Sequence, residues 1–165
     1  GAAILGASHG KSGILSSRIH SDGRYWEMLY APGKLSCAPF NKKPGVETAP
    51  PYLKMKGNET FKIAVRTMGQ AIKEVLADSG LSPSDVSLLI PHQANMRIIN
   101  AIRERLLLPE EKVFTNLEKY GNTSAGSIPI ALDEAIREDR LKQGDIVLFV
   151  AFGGGLTWAS QIVRW

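Results

Sequence analysis

Three segments of this chain carry groups suited to chemistry, and each follows an apolar run. His92 comes directly after Leu88-Leu89-Ile90-Pro91. Asn122 lies in Gly121-Asn122-Thr123-Ser124-Ala125-Gly126, downstream of Val113-Phe114-Thr115. Gly153-Gly154-Gly155 closes the run from Ile146 to Phe152. An imidazole and a carboxamide turned toward one oxygen offer two N–H donors, which stabilise the negative charge of an enolate or a tetrahedral oxyanion. The imidazole must then be neutral, with its proton on the nitrogen facing the ligand. A glycine turn adds backbone that a ligand can approach closely. His92 alone is weak, since a histidine at a strand end is more often a hydrogen-bonded structural residue. The threefold recurrence is what makes a site.

Other chemistries fit less well. His9 and His20 stand in a different segment, and no carboxylate or thiolate neighbours His92 at ligand spacing, so no metal is expected. The three glycines match neither a phosphate loop with its Lys-Ser/Thr nor a dinucleotide fingerprint after a first strand. No serine sits in a nucleophile elbow. Cys37 lies in a proline-rich loop away from every strand end and reads as a small, partly buried thiol.

The elements around these groups must bring them together. In open α/β sheets the ligand crevice lies outside the carboxyl ends of the strands. If the three apolar runs are parallel strands of one sheet, their polar ends meet along one edge. Gly1 to Ser8 and Gly13 to His20 read as two strands joined by a hairpin at Gly10 to Gly13. Asp22 to Lys56 is irregular and holds five of the nine prolines, which marks a boundary between units. Asn58 is placed to cap a helix whose stripe is Phe61, Ala64, Val65, Met68, Ile72, Val75 and Leu76, ending at Gly80. Ser82 to Asp85 is a turn, and Asn95 to Leu107 a second helix with Ile98, Ile99, Ile102 and Leu106 inward. Arg97, Arg103 and Arg105 stay outside, as a solvated face or a docking patch. Thr123 or Ser124 would cap a third helix with Pro129 in its first turn. Leu156 to Trp165 is a final strand. Gly1 to Leu5 and Gly154 to Trp158 are faintly alike, a hint of internal duplication.

Composition narrows the class. Apolar residues make up 44% and charged residues 22%, as in an ordinary globular domain. No apolar run is long enough to span a bilayer, and the start carries no basic region followed by an apolar segment, so neither membrane nor leader is expected. One cysteine excludes an internal disulfide and fits a cytoplasmic protein. A net charge of +4 without aromatic interleaving argues against nucleic acid and for a local acidic partner.

The motifs Pro91-His92-Gln93-Ala94-Asn95, Gly121-Asn122-Thr123-Ser124-Ala125 and Ala151-Phe152-Gly153-Gly154-Gly155-Leu156-Thr157-Trp158 together resemble β-ketoacyl-[acyl carrier protein] synthase III. Lys56 to Lys62 and Ala131 to Ala135 extend the likeness over the whole chain. The resemblance implies an α/β, thiolase-type layered fold of two similar halves, of which this chain is about one. Residues 1–21 would be the last strands of the first half, 22–56 the connection, and 57–165 the second half. The family's nucleophilic cysteine would lie in the missing half, and Cys37 matches no part of its motif. The complete enzyme would load an acyl group from acyl-CoA onto that cysteine and condense it with malonyl-carrier protein, losing carbon dioxide. It would start fatty-acid synthesis without a cofactor, as a homodimer. His92 and Asn122 would hold the malonyl thioester oxygen, and a backbone N–H near Gly154 would serve the acyl oxyanion. Gly57, Phe61, Ala64, Asn95 and Phe152 would line the pantetheine channel. Lys62, Arg97 and Arg105 would meet the acidic carrier protein, with Glu104 interrupting the positive run.

Two other readings stand beside this one. The parent would be a related thiolase-fold synthase making another β-keto product, which substrate profiling separates. Or the chain would act alone as a non-enzymatic module that binds CoA or a carrier protein.

Overall fold

The computed structural model describes residues 2–8, 10–31 and 52–165. In chain order these form β1 (Gly13–Ser21), β2 (Leu29–Tyr30), β3 (Lys54–Met55), α1 (Gly57–Asp78), β4 (Leu88–Pro91), α2 (Met96–Arg105), α3 (Leu117–Tyr120), α4 (Ser127–Arg137), β5 (Ile146–Gly153) and β6 (Thr157–Arg164). Cys37, His9 and Pro50-Pro51 fall outside the described residues.

The main sheet runs β1-β6-β5-β4. Its central strand explains why 146–152 is apolar at every position. Side chains alternate across a strand, and β5 is covered on both faces. Ile146, Leu148 and Val150 join α1 and α2 in a core with Met68, Ile72 and Ile102. Val147 and Phe149 face Leu88, Ile90 and Ala131 of the opposite core, under α4. Helices on both faces of a largely buried sheet make a layered α/β unit.

The site depends on strand direction. β4 and β5 are parallel, with Pro91 level with Val150. Val113 makes a parallel bridge to Leu89, and Phe114 N donates to Leu89 O at 2.9 Å. The three runs thus lie side by side and leave the sheet at one edge, as the sequence leads one to expect. The run at 113–115 is a bridge rather than a full strand.

α1 buries its stripe from Ala64 to Leu76 and leaves Phe61 partly exposed, and Gly80 turns the chain at φ +63° where a side chain would be strained. Asn58, however, falls inside the first turn. The cap position is Lys56, with no side-chain cap bond. α4 likewise starts after Gly126 without a side-chain cap, because Ser124–Gly126 forms a separate 3-10 turn first. Pro129 does occupy the first turn. Residues 2–8 are not a strand. Among the described residues none pairs with them, and Ile4 and Leu5 are exposed. The hairpin expected at Gly10 to Gly13 is therefore absent. β1 bonds along its length to β6 at the edge of the sheet. The segment read as irregular contains a 3-10 turn at Gly23–Met28 and the β2–β3 pair. Among the described residues no helix is long and apolar enough to cross a membrane.

Candidate active site

β4 is buried at all four positions and delivers His92 at its carboxyl end. The strand's hydrogen bonding carries one residue further, with His92 N donating to Val150 O at 2.8 Å. The imidazole is half-buried, and burial pushes its pKa below the ordinary histidine value, toward the neutral form. Among the described residues no side-chain hydrogen bond uses either ring nitrogen. A neutral imidazole free to donate is what oxyanion stabilisation requires.

Gln93 is a buried polar residue beside His92 that the sequence did not single out. It is fully buried, its Nε2 donating to Pro91 O at 2.9 Å and Phe114 O at 3.3 Å, while its Oε1 accepts from Asn116 N at 3.1 Å. It locks the end of β4 to the segment that leads to Asn122. The signal was its place inside Pro91-His92-Gln93, where a buried polar side chain must find backbone partners.

Asn122 follows α3 and Gly121, whose φ of +67° suits glycine. Asn122 is exposed, and its Oδ1 accepts from Ser124 N at 2.9 Å. The carboxamide oxygen is thus engaged within its own loop. Ser124 sits at φ +53°, a costly conformation for a non-glycine residue that this turn imposes. The segment before Asn122 is held by Glu134 of α4, another residue the sequence did not single out. Glu134 accepts from Asn116 Nδ2 at 2.7 Å, Lys119 Nζ at 2.9 Å and Tyr120 Oη at 2.7 Å. The Asn116 bond first, then Lys119 and Tyr120, hold its carboxyl at about 2.

The third component is the turn after β5. A Cβ on Gly155 would lie 2.8 Å from Thr157 Cγ2, and its φ is +140°, so only glycine fits. A Cβ on Gly154 would approach Leu29 O at 3.4 Å. The turn is fastened by Leu156, whose N–H and C=O pair with Asp22 at 3.1 and 2.8 Å.

The remaining expected residues divide. Gly57, Phe61 and Lys62 stand together on the first turns of α1, and Arg97 of α2 reaches them, its guanidinium 5.1 Å from the Phe61 ring centre. Phe152 is partly buried and packs on the core. Asn95 spends its side-chain oxygen capping α2, accepting from Arg97 N at 2.8 Å. Ala64 is fully buried in the core and offers no surface to a ligand here. Arg105 packs over Gly69 of α1 and borders one recess with Phe61 and Lys62. Among the described residues no cluster of His, Cys, Asp and Glu is arranged to hold a metal ion.

This arrangement has counterparts in known proteins. The family described as 3-oxoacyl-[acyl-carrier-protein (ACP)] synthase III, C terminal, matches residues 76–165. The β-ketoacyl-[acyl-carrier-protein] synthase III of Aquifex aeolicus is 48% identical over all 165 residues, which cover 48% of its own length. The Caldanaerobacter subterraneus protein of the same description is 50% identical over 165 residues, again half of its length. The crystal structure of the Thermus thermophilus synthase III superposes with a TM-score of 0.87 at 44% identity, covering 98% of this chain and 49% of that one. The chain thus spans about half the length of the curated relatives it matches.

Proposed function

The chain belongs to the 3-oxoacyl-[acyl-carrier-protein] synthase III family, and from that membership we propose that it is the second half of an enzyme that starts fatty-acid synthesis. The complete enzyme takes an acyl group from acyl-CoA onto a cysteine outside this chain. It then condenses that group with a malonyl thioester on an acyl carrier protein. No cofactor is needed, and the cytoplasm is its compartment.

His92 and Asn122 act on the malonyl thioester. The bond between its α-carbon and carboxylate breaks, carbon dioxide leaves, and the electron pair moves onto the thioester oxygen as an enolate. Two N–H donors, one imidazole and one carboxamide, stabilise that charge. The enolate carbon attacks the acyl–cysteine carbonyl, and the tetrahedral oxyanion receives an N–H from the glycine turn at Gly154. Collapse expels the cysteine thiolate and leaves the β-keto product on the carrier. Gly57, Phe61 and Phe152 line the approach of the pantetheine arm, and Lys62, Arg97 and Arg105 receive the acidic carrier.

What carries this reading is the half-buried His92 imidazole at the end of β4, pushed toward neutrality and unpaired among the described residues, with its backbone N–H on Val150 O of β5. The test uses the complete enzyme and follows the two half-reactions separately. His92→Ala should leave acylation of the cysteine by acyl-CoA, followed by mass spectrometry, nearly intact. Release of labelled carbon dioxide from malonyl-carrier should fall by roughly 100- to 1,000-fold. Equal loss in both half-reactions would end the proposed division of labour.

A further inference from the structure

We propose that the docking surface for the acidic carrier continues well beyond Lys62, along a cationic groove between α1 and α2 that ends at Lys73. The proposal rests on the carrier-protein reading above and adds Arg66 and Lys73 to it.

Lys62, Arg66 and Lys73 stand at i, i+4 and i+11 on α1, so one face of the helix carries all three. Each is exposed. Arg105 crosses from α2 to join them. It packs over Gly69 of α1, where a Cβ would make ordinary contact with Arg105 Nη1 at 3.5 Å. Arg66 and Arg105 line two adjoining recesses of about 380 and 450 Å³, the first bounded by Phe61 and Lys62, the second by Lys73 and Trp158. The two recesses are one groove with shared walls.

None of these four cations is in an ion pair among the described residues. Beyond Lys73 the helix changes sign, and its acids are already engaged. Glu74 accepts from His20 Nε2 at 2.7 Å and from Gln70 at 3.1 Å. Asp78 accepts from Arg18 Nε at 2.7 Å and Nη2 at 2.9 Å. These carboxylates stitch β1 to α1, and although Glu74 borders the recess at its Lys73 end, the four cations of the groove outnumber it. From Lys62 to Lys73 the rise is about 16 Å, three turns of helix. A partner helix with carboxylates spaced by turns matches that length and sign. Exposed charges of this kind act mainly on association rate and fade with salt.

The experiment is steady-state kinetics on the complete enzyme at low and near-physiological ionic strength, varying malonyl-carrier and acyl-CoA in turn. Arg66→Glu and Lys73→Glu should each raise KM for malonyl-carrier by about three- to ten-fold at low salt. KM for acyl-CoA and kcat should stay at the wild-type value, and the defect should shrink as salt rises. Arg66→Gln and Lys73→Gln should shift KM in the same direction by less, guarding against damage from a reversed charge. If Lys62→Glu raises KM for malonyl-carrier while the four groove variants do not, the extension is wrong and the docking reading survives. If Lys62→Glu is silent as well, both fall. A parallel rise in KM for acyl-CoA would identify a general defect and also overturn the extension. Inorganic phosphate at matched ionic strength should leave the KM for malonyl-carrier unchanged. Competitive inhibition by phosphate would show a small-anion site instead of a helix dock.

Discussion

His92 and Asn122, the two donors proposed for one oxygen, are held in place by different physics. His92 is an extension of the sheet, fixed by the β4–β5 register and by its own N–H on Val150 O at 2.8 Å. No single side chain sets that position. Asn122 rides on an exposed loop whose preceding turn is gathered by one carboxylate, Glu134, through three side-chain donors. One donor is placed by backbone pairing, the other by a polar network that depends on charge. Changes in sequence or pH that spare the fold should therefore reach the chemistry through Asn122.

The largest effect tests whether the two donors truly share an oxygen. Asn122→Ala in the complete enzyme should slow decarboxylation by roughly 100- to 1,000-fold, as His92→Ala does. The double variant should lose clearly less than the product of the single losses, because groups acting as a unit are not additive. A fully multiplicative loss would place the donors on different atoms and dissolve the comparison.

Next come the two anchors. Gln93→Leu leaves the buried Asn116 N–H and two carbonyls unmatched, and unsatisfied buried groups cost about 1–3 kcal/mol each. Its first symptom should be a lower unfolding midpoint in urea, since Gln93 ties strand to segment. Glu134→Ala should behave in the opposite way. It should slow decarboxylation by roughly ten-fold through a misplaced donor while acylation by acyl-CoA and KM for the carrier hold. Glu134→Gln, which keeps an acceptor for Asn116, should recover part of that loss. If Glu134→Ala damages both half-reactions alike, Glu134 is merely structural.

The same carboxylate sets a pH signature. Its folded value of about 2 lies below its ordinary value of 4.5, so the network's contribution to stability is complete above pH 4.5 and fades as pH falls toward 2. Glu134→Gln should flatten that part of the stability-versus-pH curve relative to wild type. Urea unfolding at several pH values between 3 and 5 reads this out, and parallel curves would show that the network adds nothing.

These anchors also mark where the sequence was legible. The places of His92, Asn122 and the glycine turn were legible because each follows an apolar run, and a run buried on both faces implies a strand inside a sheet. β4, β5, β6 and the stripe of α1 follow from the same periodicity. Asn58 and Thr123 looked like caps because their residue types favour that role, yet helix starts are decided by the preceding chain. Lys56 and Gly126 took those places. Residues 2–8 looked like a strand, but a strand needs a neighbour, and local pattern cannot supply one. Gln93 and Glu134 were passed over because their importance lies in partners 21 to 23 and 14 to 18 positions away. Ala64 was expected at the channel from its family position, and its burial in the core shows that a matching residue need not present a surface.

The smallest effect concerns Arg97, which stands one turn beyond His92 but belongs to neither anchoring scheme. Its backbone N–H is used by the Asn95 cap and its guanidinium rests over Phe61 at 5.1 Å. A cation over an aromatic face at an exposed site is worth about 0.5–1 kcal/mol, too little to hold the site together. Its charge still projects at the end of α2 that begins beside His92, where an approaching acidic carrier would feel it. Arg97→Glu in the complete enzyme should raise KM for malonyl-carrier a few-fold at low salt, with the defect shrinking as screening shortens to about 8–10 Å. The decarboxylation rate at saturating carrier should not move, because the sheet register that places His92 does not pass through this side chain. A fall in that saturated rate would show that α2 helps to position the imidazole, and His92 would then need its own side-chain support, as Asn122 does. An unchanged KM at low salt would leave Arg97 a solvated arginine packed on Phe61.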